Sequence, residues 1–89
     1  MIETMVKRLY DAQDNDEKLR FGIYGNGTSI VVTMIPDVME VDGWFEITDK
    51  EFGFGTLVSF RIDSDVEYDG YGVYSFKSGE LTVEIGEIN

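Results

Sequence analysis

With 89 residues, 43 % apolar and 13 % aromatic, the chain has material for one hydrophobic core, too little for two, and too much apolar surface to stay disordered. Eighteen acids against seven bases give a formal charge of −11, a field that repels nucleic acid and anionic membranes and attracts basic proteins or cations. Without cysteine there are no disulfides or thiolate metal sites, and without histidine the imidazole bases, the triads built on them and ordinary zinc sites are excluded.

The amino-terminal stretch MIETMVKRLYDAQ interleaves charged and apolar residues, which excludes a signal peptide or a membrane span and predicts a cytoplasmic protein. Ile2, Met5, Val6, Leu9 and Tyr10 recur at steps of three and four, so an amphipathic helix is expected over about residues 2 to 13. The run Asp14-Asn15-Asp16-Glu17 ends it as a loop. A β region of one antiparallel sheet then follows, over about residues 18 to 88.

Leu19, Phe21 and Ile23 alternate with Arg20, Gly22 and Tyr24. Gly25-Asn26-Gly27 supplies the positive-φ residues of a hairpin turn, and the β-branched run SIVVTMI returns as far as Pro36-Asp37. Within VMEVDGWFEI, Asp42-Gly43 signals a second hairpin; Trp44 and Phe45, as strand neighbours, face opposite ways, so one of them is buried. The Asn26-Gly27-Thr28 triplet matches a glycosylation acceptor but reads as a turn.

Residues 54 to 68 hold the longest alternation. Phe54, Thr56, Val58, Phe60, Ile62, Ser64, Val66 and Tyr68 share one face of an expected strand, and Leu57, Ser59, Arg61, Asp63, Asp65, Glu67 and Asp69 the other. Asp69-Gly70 and Ser78-Gly79 are the next turns, with Leu81, Val83 and Ile85 of the last strand facing inward. The chain therefore reads as a single α+β domain over residues 1 to 89: one N-terminal amphipathic helix packed on an antiparallel meander sheet of about five to seven strands.

No stretch carries a catalytic or cofactor motif. The glycines of GIYGNG and FGFG lack the following Lys-Ser or Lys-Thr of a phosphate loop and open no helix. Asp65-x-Glu67-x-Asp69-Gly70 follows the first half of a calcium loop, but its twelfth position is Phe76, where a bidentate carboxylate is required. Exposed aromatics in a nucleic-acid-binding sheet need basic companions, and near Tyr71, Tyr74 and Phe76 only Arg61 and Lys77 are available. The expectation is a non-enzyme with no cofactor, no metal and no direct contact with nucleic acid.

The charge is uneven. Residues 1 to 20 hold five acids and four bases, and residues 21 to 89 thirteen acids and three bases. On an extended strand Asp63, Asp65, Glu67 and Asp69 would repeat every ~6.6 Å, a like-charged row that repels itself and suits a basic groove. Duplex DNA carries a charge per ~3.4 Å on each strand, so imitation of it needs a second row. The segment 37 to 51 supplies candidates for one in Asp37, Glu40, Asp42, Glu46, Asp49 and Glu51, against one base, Lys50; of these Asp37, Glu40, Asp42 and Glu46 are the expected contacts, with Trp44 as an aromatic anchor and Tyr74 as a further contact.

In size, charge and missing catalytic residues the chain resembles, along its whole length but without a shared motif, the small acidic inhibitors of nucleic-acid enzymes: anti-CRISPR, anti-restriction and nuclease-immunity proteins. That resemblance implies a protein-binding inhibitor, in some cases a DNA mimic, that blocks the nucleic-acid site of a basic partner. Two other functions fit the same composition: a structural or accessory phage or plasmid module that binds through an apolar edge, and a weak divalent-cation-binding domain.

Overall fold

The computed structural model describes residues 1–53 and 55–88, and of Thr56 and Leu57 the backbone alone. One helix, α1 (Ile2–Asp14), precedes eight strands: β1 (Leu19–Gly25), β2 (Thr28–Met34), β3 (Pro36–Val41), β4 (Trp44–Asp49), β5 (Thr56–Phe60), β6 (Glu67–Tyr68), β7 (Val73–Ser78) and β8 (Leu81–Glu87). The α+β architecture of a helix packed on antiparallel strands is as expected. The strands divide into two sheets, one of five in the order β2-β1-β8-β7-β6 and one of three in the order β3-β4-β5.

Packing stabilises the helix more than its ends do. Met1 caps it without a side-chain hydrogen bond, and no basic residue lies in its last turn. A 13-residue helix so poorly capped is marginal by itself and depends on burying one face. Met5, Leu9 and Ala12 provide that face, all fully buried, while Ile2 at the start of the stripe stays exposed. Polar contacts tie the helix down at its far end: Gln13 Oε1 accepts from Val38 N–H at 2.6 Å, and Lys50 Nζ donates to the Gln13 carbonyl at 2.7 Å.

Both expected hairpin turns form. Asn26 and Gly27 take φ of 50° and 74°, Asp42 and Gly43 take 52° and 83°, so each two-residue loop has positive φ at both positions, the twist that matches paired strands. Between the hairpins the chain changes sheet. Pro36 opens β3 rather than closing a continuous strand, and the Ile35 carbonyl accepts from Lys50 N–H at 2.9 Å.

The inner faces of the two sheets meet through aromatic rings. Phe60 of β5 stacks on Phe45 with ring centroids 5.4 Å apart and meets Phe76 of β7 at 5.2 Å. Leu19, Phe21, Val83 and Ile85 complete the core from the large sheet and Ile47 and Val58 from the small one. Trp44 and Phe45 divide as expected: Phe45 packs against the core, and Trp44 is exposed.

The long strand expected over residues 54 to 68 is interrupted. Ladder pairing stops at Phe60 and resumes only for Glu67 and Tyr68. Inward and outward positions still alternate over the described part of that stretch: Ile62 and Ser64 are half-buried and Val66 buried, while Arg61, Asp63, Asp65 and Glu67 are exposed. Tyr68 departs from the pattern, exposed but with its ring 4.7 Å from that of Tyr74. The sides expected for Phe54, Thr56 and Leu57 lie outside the described residues. The interruption has a physical cause, since this segment leaves one sheet for the other and changes register on the way. Asp63 N–H donates to the Lys77 carbonyl at 2.8 Å, where the Glu67↔Ser75 register, continued, would bring Asp65 opposite Lys77.

Candidate binding surface

The four carboxylates at 63, 65, 67 and 69 do not form one solvated row. Asp63 Oδ1 accepts from Arg61 Nε at 2.7 Å and Oδ2 from Gly79 N–H at 2.6 Å, so this side chain closes the β7–β8 turn from the neighbouring segment. The Arg61 hydrogen bond, reinforced by that of the Gly79 amide, holds its carboxyl below the usual carboxylate range. Around it hydroxyls stand in for ladder partners: Arg61 N–H donates to Ser78 Oγ at 3.0 Å, and Lys77 N–H to Ser64 Oγ at 2.8 Å. Asp69 is also engaged, its Oδ1 accepting from Tyr71 N–H at 2.7 Å and Val73 N–H at 3.1 Å. Such an Asx-type turn shapes the loop into β7.

Asp65 and Glu67 are the two members of the row whose carboxylates accept no hydrogen bond from the described residues. They line a shallow concavity with Ser64, Ser75, Lys77 and Thr82. Lys77 Nζ there donates to Thr82 Oγ1 at 3.0 Å. Tyr74, expected at the surface, is only 8 % exposed and belongs to the core.

The second set of expected residues lies on the β3–β4 hairpin. The register Asp37↔Thr48, Met39↔Glu46 and Val41↔Trp44 puts Asp37, Met39, Val41, Trp44 and Glu46 on the face of the small sheet turned away from the core, with Asp42 in the turn at its tip. Glu40 falls on the opposite face. It stands near Tyr10, whose hydroxyl pKa is raised by burial first and by the Glu40 charge second.

On that outer face Met39 is 59 % exposed, Trp44 39 %, and Val41 is exposed as well. The Arg61 guanidinium lies 5.3 Å from the centre of the Trp44 ring, a cation–π distance, while its Nε donates to Asp63. The residues brought together are therefore Trp44, Asp37, Asp42 and Glu46, plus Met39, Val41 and Arg61, which the sequence reading passed over. Their signal was available: Asp37, Met39 and Val41 share the parity that the Asp42-Gly43 turn pairs with Trp44 and Glu46.

Cations do not neutralise this surface. Six acids, Asp11, Asp16, Glu17, Glu51, Asp63 and Glu87, stand within ion-pair distance of a described cation, which leaves twelve of the eighteen without one. The pairs gather around the helix end. Arg8, 19 % exposed at its side chain, reaches Glu17 at 3.0 and 2.5 Å and Glu87 at 3.3 Å. The hydrogen bond to Glu17 raises the Arg8 pKa and lowers that of Glu17. Asp37, Glu40, Asp42, Glu46 and Asp49 of the β3–β4 hairpin have no ion-pair partner among the described residues.

Among the described residues no group of three or more acids is arranged to hold a metal ion, and no helix is long and apolar enough to cross a membrane. Comparison with protein-family models, with curated proteins and with solved structures finds no match, so the functional reading rests on this geometry.

Proposed function

We propose that this protein is a non-enzymatic binding protein whose outer β3–β4 face occupies a basic, nucleic-acid-binding site on a partner, acting as an inhibitor of that partner. One observation carries the reading: exposed Met39, Val41 and Trp44 are rimmed by Asp37, Asp42 and Glu46, none of them ion-paired among the described residues. An apolar centre with an aromatic anchor and a charged rim is the usual anatomy of a protein interface. The sign of the rim selects the partner, because a surface evolved to grip phosphates attracts carboxylates through the same long-range field. The anti-CRISPR, anti-restriction and nuclease-immunity inhibitors work on partners of this kind, and the occupied site need not be an imitated duplex. Asp63 and Asp69 are committed to the fold and contribute background charge rather than contacts.

The test is affinity capture from the native host on immobilised protein, washed at graded salt, followed by competition between this protein and a labelled oligonucleotide for the captured partner. The expected partner is basic, is released as salt rises, and is displaced from its oligonucleotide by wild type but at least tenfold less well by Trp44→Ala or by Asp37→Asn combined with Glu46→Gln. Capture that survives high salt and leaves oligonucleotide binding untouched would replace this reading with the accessory-module one. Saturable binding of the protein itself to an oligonucleotide would overturn it.

A further inference from the structure

The large sheet has two very different edges. One is β6, two residues long and carrying Glu67. The other is β2, seven residues long, TSIVVTM, without a single charge in a chain of −11. Ile30 and Val31 at its middle are 48 % and 52 % exposed. Natural edge strands of this length are blunted by charge, proline, a bulge or a covering element, and β2 has none of them among the described residues.

We propose that the β2 edge pairs with the β2 edge of a second copy of this chain, joining two five-stranded sheets across a two-fold axis at Val31. The strand is close to palindromic about that residue. Antiparallel pairing centred there sets Ile30 against Val32 on the inner face, Ser29 against Thr33 on the outer face, and Val31 against itself. The backbone has matching parity. In a two-residue hairpin the closing pair, here Gly25↔Thr28, exchanges hydrogen bonds, and so does every second pair after it, Ile23↔Ile30 and Phe21↔Val32. Ser29, Val31 and Thr33 therefore turn their N–H and C=O groups away from β1, and in the Val31-centred register these three residues meet one another. No hydrogen bond among the described residues uses those groups.

Side chains and charge favour the same occupant. Val31 lies beside Gly22 of β1, over which the Tyr24 ring folds, and still leaves half of its surface open, which the second copy's Val31 would cover. Two molecules of charge −11 repel, and the uncharged edge, two strands away from Glu84, is where close approach costs least. Because β6 is too short and acidic to recruit another copy, the assembly closes as a dimer rather than growing into a fibre. This surface is separate from the outer β3–β4 face, so either proposal can fail without the other.

The protein contains no cysteine, so single cysteines report the register directly. In a hydrogen-bonded antiparallel pair the two Cα atoms are ~5.5 Å apart, within the reach of a disulfide. Wild type is expected to have a dimer's mass by light scattering at a concentration on the order of 100 µM. Under mild oxidation Val31→Cys should cross-link to a dimer and Ser29→Cys should not, while Ser29→Cys combined with Thr33→Cys should. Val31→Lys should be monomeric with an unchanged circular dichroism spectrum; Ser29→Lys with Thr33→Lys, at exposed polar positions, tests the same point should Val31→Lys fail to fold. A monomeric wild type, cross-linking of Ser29→Cys equal to that of Val31→Cys, or dimers that persist in a folded lysine variant would each overturn the proposal.

Discussion

Asp63 shows how a side chain that reads as surface charge becomes part of the scaffold. It is exposed, yet its two oxygens accept from Arg61 Nε and the Gly79 amide, holding together segments sixteen residues apart. Its carboxyl pKa is lowered in the folded protein from an ordinary value of 3.8, first by the Arg61 hydrogen bond. A depressed folded pKa means that the stabilisation is present above the unfolded value and is lost as pH falls through the folded one. Asp63→Asn, similar in shape but uncharged, is therefore expected to melt below wild type near neutral pH. The two melting temperatures should converge as pH falls below 3.8 and through the lowered folded value, where the wild-type carboxyl is protonated as well. A difference that is independent of pH would show that shape, not charge, matters at this position.

At the scale of elements, turn chemistry and edge chemistry do different work. Gly27 has φ of 74° with no atom within 4 Å of where a Cβ would stand, so Gly27→Ala isolates the backbone cost of a left-handed residue from any clash. A loss of about 1 kcal/mol, read as a lower urea midpoint at unchanged slope, is expected. The β1–β2 hairpin that this turn closes also delivers the uncharged β2 edge, so hairpin and dimer are built from one stretch of chain. The β3–β4 hairpin, with the same kind of turn, has one strand edge next to α1 through the Gln13 contact and presents its outer face instead. Two similar hairpins thus offer two kinds of surface, a backbone edge and a side-chain face.

For the whole molecule, magnitudes decide what the charge does. Exposed ion pairs contribute about 0–1 kcal/mol each, and Lys7–Asp11, Lys18–Glu51 and Lys50–Asp16 are well exposed on both sides. The twelve acids without an ion-pair partner among the described residues act against them by mutual repulsion over distances that low salt leaves unscreened. The melting temperature is therefore expected to rise with sodium chloride, most steeply up to about 0.15 M, where the screening length falls to ~8 Å. A melting temperature that falls with salt would mean that the ion pairs around Arg8 outweigh the repulsion. A complex with a basic partner should respond in the opposite sense and weaken over the same range, which separates stability from binding in one titration series.

Local chemistry decided much of this in advance. The spacing of Met5 and Leu9, the change to period two after residue 18, and the Asn-Gly and Asp-Gly turns are governed by backbone sterics and by burial of one face, so helix, hairpins and α+β class were legible in the sequence. So was the division between Trp44 and Phe45, since strand neighbours must point apart. The partition into two sheets was not legible, because alternation tells which way a side chain faces and says nothing about which strand its backbone pairs with. For the same reason residues 61 to 66 kept their in-out pattern while losing their ladder, and Asp63 and Asp69 turned from a row into two separate clasps. The places of Tyr74 and Met39 were not legible on the same ground: whether an apolar side chain is covered depends on what packs across from it, and only the tertiary structure set Tyr74 in the core and left Met39 in the open.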